Sequence, residues 1–118
     1  MESKAARFLP LSPATLHILL ALAEADLHGY AIMQEIRQQS EGRYKLGPGT
    51  LYDNLQRLVE QGLVREVPRS ARNTDSRRRY YRLTAQGRGV LTAEIARLEG
   101  VIRDAKLRVL KARPREAS

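Results

Sequence analysis

Residues 46–64 carry a helix with clear punctuation at both ends, and the rest of the chain has to fold around it. Pro48 suits the first helical position, because its ring presets φ and its missing N–H is not needed there. Gly47 precedes it as an N-cap with no side-chain acceptor. Gly62 stands where a left-handed C-terminal cap belongs. Between them Leu51, Leu55, Leu58 and Val59 recur at helical spacing and form one apolar face. Gly49, Thr50, Asp53, Asn54, Arg57 and Glu60 take the opposite side and its flanks. Most of these are short and able to hydrogen-bond, and Arg57 reaches further. That outer face reads in two ways, as a reading head for DNA or as an ordinary solvated face.

Two helices precede it. Ser12 serves as N-cap and Pro13 as first helical residue. Leu16, Leu19, Leu20 and Ala23 give this short helix its apolar face, and Ala25-Asp26-Leu27 breaks it. Gly29 then allows the chain to turn. A second helix starts there, with Tyr30, Ile32, Met33 and Ile36 as inward positions and Gln34, Glu35, Arg37, Gln38 and Gln39 on its polar side. Ser40-Glu41-Gly42 ends it, and Arg43-Tyr44-Lys45-Leu46 leads on in extended form. Three helices in this order, the last with a polar outer face, describe a helix-turn-helix, whose last helix lies in the major groove. The connection from Gln39 to Pro48 is longer than a tight turn, which fits a winged variant with a small strand before the third helix. The first eight residues read as a loose basic arm. It is either a disordered tail or an element that adds phosphate contacts or lies along a partner subunit, with Phe8 and Leu9 as anchors.

Beyond Gly62, Leu63-Val64-Arg65-Glu66-Val67 alternates and is rich in β-branched residues, so it reads as a strand. Residues 68–76 are turn chemistry throughout. Residues 77–83 follow as a second strand, with Tyr81 and Leu83 on one face. The hairpin carries Arg65, Arg69, Arg72, Arg77, Arg78, Arg79 and Arg82 against only Glu66 and Asp75. Guanidinium groups bind phosphates bidentately and fit a narrow minor groove, so the hairpin matches a DNA-contacting wing. A solvated loop or membrane-attracted patch is the plainer alternative.

Thr84 caps a last helix that runs to about Lys111. Its apolar positions are Leu91, Ile95, Leu98, Ile102, Ala105 and Val109, with steps of four, three, four, three and four. That is a 3.5-residue repeat, the spacing of a coiled-coil seam. Such a helix is ~40 Å long at ~1.5 Å per residue, too long for the small domain before it to cover. A second copy of the chain is the simplest partner for the seam. Residues 113–118 read as a frayed tail. The domains are therefore an arm at 1–10, a winged helix-turn-helix at 11–83, a dimerisation helix at 84–112 and the tail. The expected fold class is mainly α with a small β-hairpin, a winged helix-turn-helix plus a long C-terminal dimerisation helix.

The formal net charge of +8 over 118 residues suits an anionic polymer or surface. No cysteine is present, which excludes disulfides and thiolate metal sites. His17 and His28 lie eleven positions apart, in no metal-ligand spacing. Neither a metal nor a cofactor is expected. The N-terminus lacks the apolar run of a signal peptide, and no stretch approaches ~18 apolar residues. The expectation is a cytoplasmic, nucleoid-associated protein without a membrane partner. Asp26, His28 and Ser40 make a triad only on paper, since no nucleophile elbow, phosphate loop or paired carboxylate surrounds them. An enzyme is not expected.

Four segments together resemble the PadR family of bacterial transcriptional regulators. They are Leu27-His28-Gly29-Tyr30-Ala31-Ile32, Pro48-Gly49-Thr50-Leu51-Tyr52, Leu58-Val59-Glu60-Gln61-Gly62-Leu63-Val64 and Arg79-Tyr80-Tyr81-Arg82-Leu83-Thr84-Ala85-Gln86-Gly87. The resemblance runs from roughly Leu11 to Leu91. It implies a homodimer built through the C-terminal helix and repression at an inverted-repeat operator. The short length and single C-terminal helix resemble the smaller subfamily, in some members of which a planar small molecule binds between the subunits. The resemblance thus also implies a small-molecule effector at the dimer interface, in a pocket between the two long helices and the first helix. Gly47 stands where the family often has Ser, and Asp53 where it usually has Pro. Asp53 either accepts from a cytosine amino group or repels phosphate. With no Trp in the chain, a tryptophan-stacked drug site does not carry over.

The expected partners are double-stranded DNA and a second copy of the chain. Thr50, Tyr52, Asn54 and Arg57 are assigned to bases or flanking phosphates. Tyr30 and Lys45 are assigned to the DNA backbone or to buttressing the third helix, and Arg72, Arg77, Arg78 and Arg79 to the wing. Tyr30 and Tyr52 carry a second reading, as core residues with wet hydroxyls. A protein-binding winged-helix adaptor is the competing function, and the basic hairpin argues against it.

Overall fold

The computed structural model describes residues 4–68 and 79–111. A short 3-10 turn at Lys4–Phe8 opens it, with Ala5, Phe8 and Leu9 packed against the core. There follow α1 (Pro13–Ala21), β1 (Leu27–His28), α2 (Gly29–Gln39), α3 (Pro48–Glu60), β2 (Val64–Val67), β3 (Tyr80–Leu83) and α4 (Ala85–Lys111). The expected basic arm is thus ordered from Lys4 onward and lies on its own α4. Its apolar residues find a surface within the same chain.

The helix starts follow their local chemistry. Ser12 Oγ accepts from the Thr15 N–H at 3.2 Å, ahead of Pro13. His28 caps α2 by accepting from the Ala31 N–H through Nδ1 at 3.2 Å. Gly47 caps α3 with no side-chain hydrogen bond. At the end of α3, Gly62 takes φ +79°. Its N–H bonds to the Val59 carbonyl and the Leu63 N–H to the Leu58 carbonyl, the paired bonds of a Schellman turn. Thr84 joins this turn to α4. Its hydroxyl donates to the Gly62 carbonyl at 2.7 Å and accepts from the Gly87 N–H at 2.9 Å.

The sheet is antiparallel, in the order β1-β3-β2. Val64 pairs with Leu83 and Glu66 with Tyr81, and on the other edge Leu27 also pairs with Tyr81. The small third strand therefore precedes α2, whereas the sequence places it before α3. The reason lies in where backbone groups find partners. Tyr44 in the loop before α3 bonds through both its N–H and its carbonyl to the Ser40 hydroxyl. The Leu27–His28 backbone instead adds to the open edge of β3.

α1 packs against α2, α3 and α4, so it buries more than one side. Ile18, Ala21 and Leu22 are buried beside Leu19, while Leu16 and Leu20 are only partly covered. Ile32 and Ile36 of α2, Leu51, Leu55 and Leu58 of α3, and Val90 and Leu91 of α4 complete the core with Leu63 and Val64. Val59, read as inward, lies at the edge and stays 38% exposed. Tyr30, also read as inward, points outward at 59% exposure, because its position at the start of α2 lies beyond the edge of the core.

Glu94 is a charged residue within this interior, 1% exposed. Its carboxylate accepts from the Leu11 N–H at 2.7 Å and pairs with Arg97 one turn on. It ties the segment entering α1 to α4. Among the described residues no helix is long and apolar enough to cross a membrane.

Candidate nucleic-acid interface

The site is built on α3. Burial of Leu51, Leu55 and Leu58 leaves Gly49, Thr50, Asp53, Gln56, Arg57 and Glu60 on the exposed side. Thr50 and Arg57 are exposed on that side. Asn54 is half-buried, and its amide donates to the Thr50 carbonyl at 2.8 Å, so it folds back onto its own helix. Lys45 is exposed just ahead of the helix, and Tyr30 is exposed at the start of α2.

Tyr52 is 47% exposed, yet its hydroxyl fills the space where a Cβ on Gly29 would sit. The ring therefore docks α3 on the first turn of α2. This also explains Gly29, which is a helical residue and not a turn: its missing side chain makes room for Tyr52. Tyr52, Gln56, Val59, Glu60, Glu66, Arg79 and Tyr81 line a groove between α3 and the hairpin. Tyr81 is buried at its floor. Burial, then the nearby Glu66 and Tyr52, push its phenol above the ordinary tyrosine range.

Two arginines of the hairpin base have protein partners. Arg82 clasps Asp26 through two nitrogens, at 2.8 and 3.0 Å. The hydrogen bond from Arg82 holds the Asp26 carboxyl below its usual range. Arg79 is exposed and lies 3.5 Å from Glu66, a loose surface pair. Arg72, Arg77 and Arg78, assigned to the wing, lie outside the described residues. Among the described residues no group of three or more His, Asp or Glu is arranged to hold a metal ion.

On the far side, α4 leaves the core after its first turns. Leu91, at the head of the sequence-derived seam, is 4% exposed and belongs to the chain's own core. Leu98 is half-covered, and Ile95, Ile102, Ala105 and Val109 are exposed. Val101, Leu107 and Leu110 are exposed outside that seam.

The family model described as "Transcriptional regulator PadR-like family" matches residues 18–93. The chain belongs to the PadR-like family of transcriptional regulators. This PadR-like regulator is 39% identical over 90 residues to the transcriptional regulator Rv3488 of Mycobacterium tuberculosis, covering 75% of this chain and 78% of that one. It is 42% identical over 90 residues to an uncharacterised 37.1 kDa protein in transposon TN4556 of Streptomyces fradiae. That match covers 74% of this chain but spans only 24% of the relative's length. The crystal structure of Bacillus subtilis PadR in complex with operator DNA has the same fold, at TM-score 0.61 and 17% identity, over 92% of this chain and 53% of that one. The shared architecture is the winged helix-turn-helix with a long C-terminal helix, as the sequence leads one to expect. PadR-like proteins are regulators, not enzymes.

One exposed residue of this PadR-like regulator was passed over in the sequence. Gln56 lies on the outer side of α3, one residue before Arg57, and lines the groove beside the hairpin. Its signal was there in the spacing: 49, 53, 56 and 60 step along one side of the helix.

Proposed function

We propose that this PadR-like regulator binds double-stranded DNA as a homodimer on an inverted-repeat operator. It acts as a repressor and is released by a small-molecule effector at the dimer interface. The observation that carries the DNA reading is the division of α3. Its leucines are buried, while Thr50, Asp53, Gln56 and Arg57 are exposed, and Gln56 also lines the groove beside β2 and β3. A helix so divided fits the major groove, with phosphate contacts supplying affinity and base contacts selectivity. The net charge of +8 favours the same partner. Bacillus subtilis PadR, which has the same fold, was solved with operator DNA, and that supports DNA as the partner.

The dimer reading rests on α4. Ile102, Val109 and Leu110 are 52%, 75% and 82% exposed in the single chain. Apolar groups at that density on one helix favour a partner surface. A two-fold pair would present two copies of α3 to half-sites roughly one helical turn, ~34 Å, apart. Repression and effector release rest on the family resemblance alone.

The test is fluorescence anisotropy of a labelled duplex covering the DNA upstream of the coding sequence, titrated at several salt concentrations. Tight binding whose logarithm falls linearly with the logarithm of salt supports the reading. Absence of a salt-sensitive complex overturns it. Sedimentation equilibrium at micromolar protein tests the dimer, and a monomer there overturns that part.

A further inference from the structure

We propose that Tyr44 is a positioning residue for DNA binding. Clamped by His17 and Ser40, it holds Lys45 and the start of α3 against a DNA phosphate. The inference rests on the DNA reading above and extends it to residues that do not themselves reach the outer face.

The entry to α3 has little to hold it locally. Gly47 brings no side chain to the cap and Pro48 brings no N–H. The first amides of any helix lack intrahelical partners, so this end is free to meet an anion, but only if its place is set from outside. Glu41 and Gly42, at φ 54° and 78°, turn the chain out of α2, and the following residues form no regular element.

Beyond the docking of Tyr52 on Gly29, Tyr44 adds a constraint on the loop ahead of the cap. Its ring stacks on His17 of α1, with centroids 4.4 Å apart and planes 16° from parallel. Its N–H donates to the Ser40 hydroxyl at 3.0 Å, and that hydroxyl donates back to the Tyr44 carbonyl at 3.0 Å. Both backbone groups and the ring of one loop residue are thereby fixed to two different helices. Lys45, the next residue, is left exposed two residues before the Gly47 cap. Placing His17 here has a cost. Its Nδ1 is buried and has no hydrogen-bond partner among the described residues. An orphaned polar atom of this kind calls for a reason, and the stack on Tyr44 provides one. α1 also packs on α4, so the stack joins the long helix to the loop that starts α3.

The experiment is a double-mutant cycle read by the same anisotropy assay on the full chain. Lys45→Ala alone should lower affinity roughly three- to tenfold and reduce the salt slope by about one. Ser40→Ala should lower affinity by a similar factor. In the Ser40→Ala background, Lys45→Ala should then cost less than twofold, because the lysine is no longer held at the phosphate. Ser40→Thr and Tyr44→Phe, which keep the clamp, should bind within about twofold of wild type. His17→Leu, which removes the stack at similar bulk, should repeat the Ser40→Ala result by a second route. A merely structural role would leave the Lys45→Ala loss the same in every background, and that outcome overturns the proposal while leaving DNA binding intact. Failure of the wild-type chain to bind DNA would overturn the reading beneath it, and this inference with it.

Discussion

The hydroxyl of Tyr52, on the outer helix α3, occupies the space a side chain on Gly29 would need at the start of α2. A Cβ at Gly29 would lie 2.6 Å from Tyr52 Cζ and closer still to the hydroxyl. Two separate sequence segments are thus one packing unit. Gly29→Ala should destabilise the fold by about 1–3 kcal/mol through overpacking. Adding Tyr52→Ala should recover part of that loss, so the double variant costs less than the sum. Urea denaturation of the four proteins measures the coupling; strict additivity would refute the contact.

The first turn of α4 makes a second close approach. A Cβ on Gly87 would overlap the Leu63 carbonyl oxygen and lie 2.7 Å from Leu83 Cδ1. Backbone cannot yield as a side-chain tip can, so Gly87→Ala should cost at least ~2 kcal/mol. Gly89, two residues on in the same helix, faces open space. There alanine should stabilise by about 0.5–1 kcal/mol, through helix propensity alone. Opposite signs in thermal unfolding for two Gly→Ala changes two residues apart are the expected result.

Glu41 ends α2 in the left-handed region at φ 54°, where an L side chain is strained. The Glu41 and Gly42 amides close a Schellman turn on the Gln38 and Arg37 carbonyls, at 3.1 and 2.8 Å. Glu41→Gly should keep the turn and raise stability by about 0.5–1 kcal/mol, net of the entropy glycine loses. A lower urea midpoint would show that the glutamate side chain contributes more than its backbone costs.

Acid should loosen the junction between the N-terminal segment and α4. Arg97 chiefly, and the Leu11 N–H in addition, hold the Glu94 carboxyl below its ordinary range against the opposing effect of burial. A depressed folded-state value means stability that is complete above the unfolded value and lost as pH falls through the folded one. Stability should therefore drop below about pH 5, and Glu94→Gln should flatten that slope. Asp26, depressed by Arg82, contributes in the same window, so some slope should survive. Urea midpoints across this range check the sign; an unchanged slope in Glu94→Gln would contradict it.

On DNA, Arg57 and Lys45 should separate selectivity from affinity. Arg57→Ala should reduce the preference for the upstream duplex over an unrelated one by roughly tenfold, the range of one good base contact. Lys45→Ala should weaken both duplexes alike. Competition binding on the two duplexes reads the difference directly. Equal losses for Arg57→Ala would place that residue on the backbone.

Much of this architecture is legible in local chemistry. Ser12-Pro13, Gly47-Pro48, Gly62 and the cap that Thr84 gives the Gly87 N–H each act within a turn or two, so their effect can be read from neighbours in sequence; the bond from Thr84 to the Gly62 carbonyl is long-range. The α3 leucines and the hairpin follow from periodicity for the same reason. Tertiary structure decided what depends on distant partners. It set Leu27–His28 as the third strand, because the free edge of β3 lies more than fifty residues away in sequence. It assigned Gly29 to Tyr52, turned Asn54 back onto its own helix, drew Leu91 into the core and stacked His17 on Tyr44. Spacing along a chain reports which face of an element a residue occupies. It carries no record of which other element arrives there, and that arrival decides whether a side chain binds, buttresses or is buried.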